Sequence, residues 1–387
     1  MRDHPDMPML SGRKLLEAVD VRKLPKVLLH EHLDGGLRPA TVLELAAESG
    51  YQDLPTRDAA DLAAWFHRGA QRGSLPEFLD GFRHTIAVMQ TAEALERIAF
   101  EFIEDMHHDG VVYAEVRFAP VYHCERGLTQ DEVVRTVVRG LERGERSYGV
   151  KWGLIICAMR HMQDSLAAAE LAIRSRALGV VGFDLAGGED GFPPKKHIDA
   201  FHAIQRANFN ITIHAGEAYG PQSIWQALQY CGAHRLGHGT RLLDDTMPLD
   251  DGGIALGPLA QYVLDHRVPL EMCLSSNLHT GACMRLEDHP FGFFFRRGFR
   301  VCLNTDDRLM SDTSMTRETT IATEHFDLSL HDLEKLSLNA IKSAFTDFDS
   351  RIRLIFDVIK PGFAWARGLL DQGAQAASTA ARTSGSP

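Results

Sequence analysis

The sequence predicts an α/β protein, a (β/α)8 TIM barrel with extra helices after its first strand and at its C-terminus. Three observations lead there. Eight short apolar or β-branched runs bounded by turn residues recur along the 387 residues, segments of helical period lie between them, and chemistry-bearing polar residues gather where the runs end.

The runs, in order, are "KVLLHEH" (26–32), "VVYAEVRFAP" (111–120), "KWGLIICAM" (151–159), "VVGFDLAG" (180–187), "NITIHAGE" (210–217), "HRLGHG" (234–239), "VPLEMCLSSN" (268–277) and "RVCLNTDD" (300–307). Between them Leu95, Ile98, Phe102 and Met106 recur near the 3.6-residue period, and Thr129 with Glu132 forms a capping box ahead of Val134, Val137, Val138 and Leu141. The long connection from about 36 to 110 has room for several helices, one of them after Pro76, which either form a lid over the barrel mouth or simply pack against the barrel. Beyond residue 312 further helices are expected to end near Pro361 and again near Leu370. We therefore read 1–23 as an N-terminal segment, 24–370 as one domain, and 371–387, with its small polar "GAQAASTAARTSGSP", as a disordered tail.

Composition narrows the function classes. At 44% hydrophobic and 24% charged residues the chain can bury a large core, and no stretch approaches the ~18 apolar residues of a membrane span. The start "MRDHPDMPML" lacks the apolar core of a secretory signal, so a cytoplasmic protein is expected. A formal charge of −11 argues against broad binding to nucleic acid or anionic membranes, although a local basic pocket remains compatible with it. Six cysteines without a CxxC spacing suit reduced core thiols, and none is assigned to metal.

The strand ends carry the chemistry. The first ends in His30 and His32, the fourth in Gly187 and Gly188, the fifth in His214 and Glu217, the sixth in His238, the eighth in Asp306 and Asp307. With 19 His in the chain, a single His-x-His is expected about once by chance, so its weight comes from this company. Residues two apart on a strand share a face, hence His30 and His32 can both point inward while Glu31 points out. Three imidazoles and a carboxylate from strands one, five and eight make a zinc-type nitrogen and oxygen ligand set open to water, and Glu217 and His238 are placed as an acid and an imidazole beside that water. This is the chemistry of hydrolysis.

"HEHLDG", "DLAGGE", "HAGE", "RLGHG", "SSN" and "LNTDD", in that order on successive strands from about 24 to 345, resemble the adenosine deaminases of the amidohydrolase superfamily. The resemblance implies that His30, His32, His214 and Asp306 ligate one zinc ion, which lowers the pKa of a water toward about 7 so that hydroxide attacks carbon 6 of a purine nucleoside. It implies that His238 orients this water and takes its proton, that Glu217 protonates ring nitrogen 1, and that Asp307 meets nitrogen 7 and the Gly187 N–H nitrogen 3. His32 also borders the substrate. Asp34 is matched to the residue that accepts the ribose 5′-hydroxyl, a turn or cap aspartate being the structural alternative. The products would be inosine, or 2′-deoxyinosine, and ammonia, as in purine salvage; the partner is thus a small nucleoside, with no nucleic acid or membrane.

Ser276 and Asn277 match a family signature without an evident chemical role and are read as strand-end packing. His107, His108 and His123 match no ligand position and are read as surface or loop residues. Leu274, Gly188 and Arg308 depart from the family's commoner proline, aspartate and proline, and Arg308 could adjust the pocket. The alternatives on the same scaffold are deaminases of adenine, aminofutalosine or AMP and its N6-modified forms, and hydrolases of esters or phosphotriesters. Free-base enzymes tend to carry glutamate where Asp34 stands, AMP enzymes would want basic residues at the mouth, and two-metal hydrolases a bridging residue on strand four. A non-catalytic zinc or nucleoside binder would need neither Glu217 nor His238.

Overall fold

A computed structural model describes residues 10–383, with side chains described up to residue 373. Eight parallel strands follow one another around a ring: β1 (Lys26–His32), β2 (Val111–Phe118), β3 (Lys151–Met159), β4 (Val180–Ala186), β5 (Asn210–Ala215), β6 (Arg235–His238), β9 (Leu270–Met272) and β10 (Val301–Leu303). Each is buried almost throughout because helices cover one face and the barrel interior the other, which is why the runs read as near-continuous apolar stretches. The ring closes between its first and last members. His32 N–H donates to the Asp306 carbonyl at 2.8 Å and Asp306 N–H to the His30 carbonyl at 3.0 Å, while the Asn304 side-chain oxygen accepts from the N–H of Leu29 and His30 at 2.8 and 3.1 Å.

The last two barrel strands are shorter than the sequence suggested. Leu274–His279 leaves the sheet as a helix, and Thr305 to Asp307 turn out of the ladder toward the mouth. A small antiparallel hairpin of β7 (Thr246–Pro248) and β8 (Ile254–Leu256) lies outside the barrel and has no apolar run to announce it.

The helices between strands form as their periodicity requires. Ala92–His108 buries Leu95, Ile98, Phe102 and Met106, and the Thr129 and Glu132 capping box starts Gln130–Tyr148. The connection after β1 holds helices Pro39–Ser49, Ala59–Ala70, Leu75–Leu79 and Phe82–Val88, the third with Pro76 in its first turn. Leu75, Phe78, Leu79, Phe82 and Ile86 from this excursion roof the barrel mouth.

The C-terminus differs from expectation twice. Pro361 ends no helix: a π-helical turn, Leu354–Ile359, precedes it and Lys360–Thr383 continues, because the shifted bonding of a π turn absorbs proline's missing N–H. The same helix extends through 371 to 383, in the segment read as disordered, where alanine-rich chain has high intrinsic helix propensity. Residues 384–387 of that segment and 1–9 of the N-terminal one lie outside the described residues. Among the described residues no helix is long and apolar enough to cross a membrane.

Candidate active site

At the C-terminal mouth of the barrel four ligand atoms converge. His30 and His32, on one face of β1, each bring Nε2 to 3.1 Å from His214 Nε2 at the end of β5. Asp306 Oδ1 lies 3.0 Å from His30 Nε2 and 3.5 Å from His32 Nε2, and the four groups offer ligand atoms within 4.8 Å of one another. The far nitrogens of two rings are fixed: His30 Nδ1 lies 2.9 Å from Glu271 Oε2, and His214 Nδ1 3.1 Å from Asp184 Oδ1. A neutral imidazole donating from Nδ1 presents a lone pair at Nε2. Lone pairs aimed at each other across 3.1 Å repel, and a divalent cation among them removes the conflict. Three nitrogens and one carboxylate oxygen suit zinc. A second grouping, His238, Cys273 and Asp306, shares Asp306 with the first.

Local strain aims these groups. Asp306 and His238 are non-glycine residues in left-handed backbone, each with φ +64°. Such a conformation costs on the order of 1–3 kcal/mol and persists where surrounding structure imposes it. Here the closing hydrogen bonds of the barrel impose it on Asp306.

Beside the cluster lies a cavity of about 350 Å³, within the range of small-molecule sites. His32, Asp34, Gly187, Gly188, His214, Glu217, His238, Asp306 and Asp307 all line it; His30 sits just beneath. Asp34 Oδ1, Glu217 Oε1 and Asp307 Oδ1 are buried without a hydrogen-bond partner in the protein. Burial pushes Asp34 up to about 7, and burial with the Asp306 and Glu189 charges pushes Glu217 up to about 8. Burial and the adjoining Asp306 raise Asp307 well above the usual carboxylate range. Burial thus raises the proton affinity of all three carboxyls.

Two glycines of the opening motifs have clear reasons. A Cβ on Gly35 would stand 1.7 Å from Asp307 Oδ1, so only glycine lets β1's trailing turn pass beneath that carboxylate. Gly187 has φ +93°, and the missing side chain leaves its backbone open to the cavity. Asp34 lies in the helical turn Leu33–Gly35, and the N-cap side chain of that turn makes no capping bond.

Several roles escaped the sequence. Ser276 and Asn277 are more than packing: Ser276 Oγ donates to Asp306 Oδ2 at 2.5 Å, and Asn277 Nδ2 donates to His238 Nδ1 at 3.0 Å. The amide faces this way because Asn277 Oδ1 lies 3.2 Å from His289 Nε2 and 3.4 Å from the Cys273 N–H. Burial holds His238 well below the ordinary histidine range, so the neutral ring carries its proton on Nε2, 3.6 Å from Glu217 Oε2. Glu189, quoted within "DLAGGE", accepts four backbone N–H bonds, from Gly216, Glu217, Ala218 and Tyr219 at 2.8–3.1 Å, and thereby fixes the turn bearing Glu217. A carboxylate after a glycine pair at a strand end was the available signal.

Other expectations need correction. His123 is fully buried, its Nδ1 3.1 Å from the Met89 carbonyl, whereas His107 and His108 are exposed. Arg308 does not reach the pocket. It turns away to Glu31 Oε1 at 2.7 Å, Asp105 Oδ2 at 2.9 Å and the Gly36 carbonyl at 3.0 Å. Leu274 is core at the start of its helix, and Gly188 leaves open space where the family often has aspartate.

The sequence pattern of the family described as "Adenosine deaminase" matches residues 25–361. Adenosine deaminase 1 of Streptomyces coelicolor is 55% identical over 349 residues, covering 89% of this chain and 88% of that protein. Adenosine deaminase of Mycobacteroides abscessus is 51% identical over 354 residues, 90% of this chain and 98% of that one. Among solved structures, adenine deaminase from Arthrobacter aurescens superposes with a TM-score of 0.76 at 26% identity, covering 89% of this chain and 99% of that chain. The aligned motifs, the barrel and the family match agree, and the chain belongs to the adenosine deaminase family.

Proposed function

We propose that this chain hydrolyses the 6-amino group of adenosine, giving inosine and ammonia, with one zinc ion held by His30, His32, His214 and Asp306. One observation carries the choice of a nucleoside: Asp34, Glu217 and Asp307 each aim a buried, unpartnered oxygen into one cavity beside the ligand cluster. Arg83 is the one guanidinium or ammonium among the described lining residues, so the mouth offers a phosphate no cluster of positive charge, and an uncharged substrate fits better than a nucleotide.

The chemistry follows from the residues. Zinc bound there would acidify a water toward neutrality. His238 orients the attacking oxygen; with its proton on Nε2 it donates to that oxygen rather than taking its proton, and Glu217 becomes the acceptor once it has given up its own proton. Glu217, kept protonated by burial, gives its proton to ring nitrogen 1 as oxygen bonds carbon 6. One water proton restores Glu217 and the other leaves with the amino group as ammonia, while the proton on nitrogen 1 stays with inosine. Asp307 in its protonated form donates to nitrogen 7, the Gly187 N–H to nitrogen 3, and Asp34 accepts from the ribose 5′-hydroxyl.

Comparing kcat/KM for adenosine, 5′-deoxyadenosine, adenine and AMP on the parent and on Asp34→Ala tests the reading. A site built to bind a hydroxyl rejects analogues lacking it by up to ~10⁴-fold, so adenosine should lead by a wide margin and Asp34→Ala should narrow it by slowing adenosine. Adenine or AMP turned over by the parent as efficiently as adenosine would remove the nucleoside assignment.

A further inference from the structure

At the opposite end of the barrel, where the strands begin, lies a second cavity of about 450 Å³. Asn210 at the start of β5, Arg235 at the start of β6, Pro269 before β9 and Arg300 before β10 line it, with Lys342 and Arg351 from the C-terminal helices and Arg267 from the loop ahead of β9. No aspartate or glutamate lines it, although the chain carries a formal charge of −11.

The pairing pattern makes this cluster unusual in its own molecule. Arg97, Arg139, Arg143 and Arg174 on the barrel's flank each meet a carboxylate within 3.2 Å. Among the described residues Arg267, Arg300, Lys342 and Arg351 meet none within 4.0 Å, and Arg235 spends its charge inward on Glu115 and Glu271. Some of the positive charge answers backbone carbonyls: Arg351 donates to Ala344 and Thr346 at 2.8 and 3.0 Å, and Arg267 to Gly298 at 3.0 Å. Among the described residues the Arg300 and Lys342 side chains make no such bond. The Nε–H groups of Arg300 and Arg351 are buried with no acceptor in the protein. Asp347, close in sequence, is turned away to cap a helix through the Ser350 N–H at 2.8 Å. Burial, and then the neighbouring Arg267 charge, push the Arg300 guanidinium below its ordinary value, a cost that an anion between them would relieve.

We propose that this cavity at the N-terminal end of the barrel binds a phosphate-bearing anion between Arg267, Arg300, Lys342 and Arg351. Buried donors left unmatched are costly, and guanidinium forks match the oxygens of a phosphate in geometry as well as charge. The site is independent of the deaminase reading, since it shares no residue with the mouth.

The test is calorimetric titration of the metal-loaded enzyme with inorganic phosphate and, separately, uridine 5′-monophosphate, ionic strength held constant with chloride. Saturable binding is expected, weakened at least about tenfold by Arg267→Gln with Arg300→Gln, with phosphate-free deaminase activity unchanged as the check on folding. Lys342→Gln, at an exposed position, supplies a milder second variant and should weaken binding measurably. Uridine 5′-monophosphate tighter than phosphate would identify a nucleotide as the ligand, and equal affinities would identify the free ion. No saturable binding below about 10 mM, or the same affinity in the variants as in the parent, overturns the proposal.

Discussion

Two layers of buried charge lie one above the other in this barrel, and they are built on opposite terms. In the lower one, Arg117 Nη2 meets Glu271 Oε2 at 2.9 Å, Arg235 meets Glu271 Oε1 at 2.5 Å and Glu115 Oε2 at 2.6 Å, and Thr212 donates to Glu271 at 3.0 Å. In the upper one, at the mouth, Asp34, Glu217 and Asp307 are also buried, yet each keeps an oxygen without a partner. The guanidinium partners hold Glu271 well below its ordinary range against the cost of burial, while burial drives the upper carboxyls up. Charges answered within the protein fix positions, and groups left unanswered are available to a ligand. The layers touch at His30, whose ring joins Glu271 below to the ligand cluster above.

This division can be broken from either side. The largest effect is expected from removing the cation or its grip: dialysis against a strong chelator, or His30→Ala, should abolish deamination, with metal content and turnover falling together. Full activity in protein free of transition metal would end the division of labour.

Next in size is Glu217→Gln, which keeps shape but cannot supply the proton. Turnover should fall by at least ~10²-fold with metal content and thermal stability close to the parent's, because glutamine keeps the shape and Oε1 has no partner to lose. Unchanged turnover would show that an unpartnered carboxyl is no guide to catalysis here.

The lower layer should respond the other way round. Glu271→Gln leaves Arg117 only Asp184 and Arg235 only Glu115, and losing one member of a buried ion network costs up to roughly 3–5 kcal/mol, so the denaturation midpoint should drop; because Glu271 also holds His30 Nδ1, metal affinity should weaken with it, while KM for metal-loaded protein stays close to the parent's. Smallest of all is Arg308→Met. That side chain faces Glu31 and Asp105, and substrate preference should hold within about twofold, as measured by the same four-substrate comparison.

The sequence exposed the upper layer better than the lower. His30, His32, His214, Glu217, His238, Asp306 and Asp307 interrupt apolar strands at their ends, where solvent would be the default and repetition on one rim is informative. Glu115 and Arg117 sit in the middle of "VVYAEVRFAP", and a lone charge within a strand reads as an outward polar residue until its partners on β4, β6 and β9 are known. Their spacing of two, inside a parallel strand buried on both faces, was the available clue. Asn277 and Ser276 were hidden for another reason: their segment changes from strand to helix at Leu274, which redirects both side chains onto His238 and Asp306. The short hairpin and the helix past Pro361 were missed because short strands carry no period and a π turn leaves no mark in composition.

Asp306 belongs at once to the seam of the ring and to the ligand cluster. The segments it joins stand some 270 positions apart along the chain, Glu31 bridging to Asp306, and closing so long a loop is late and slow work for a folding polypeptide. A cation held by His30, His32 and Asp306 would act as the clasp of that ring, its binding free energy adding to closure. Withdrawing the cation would remove that support from the seam between β1 and β10, and hydrogen exchange there should rise first.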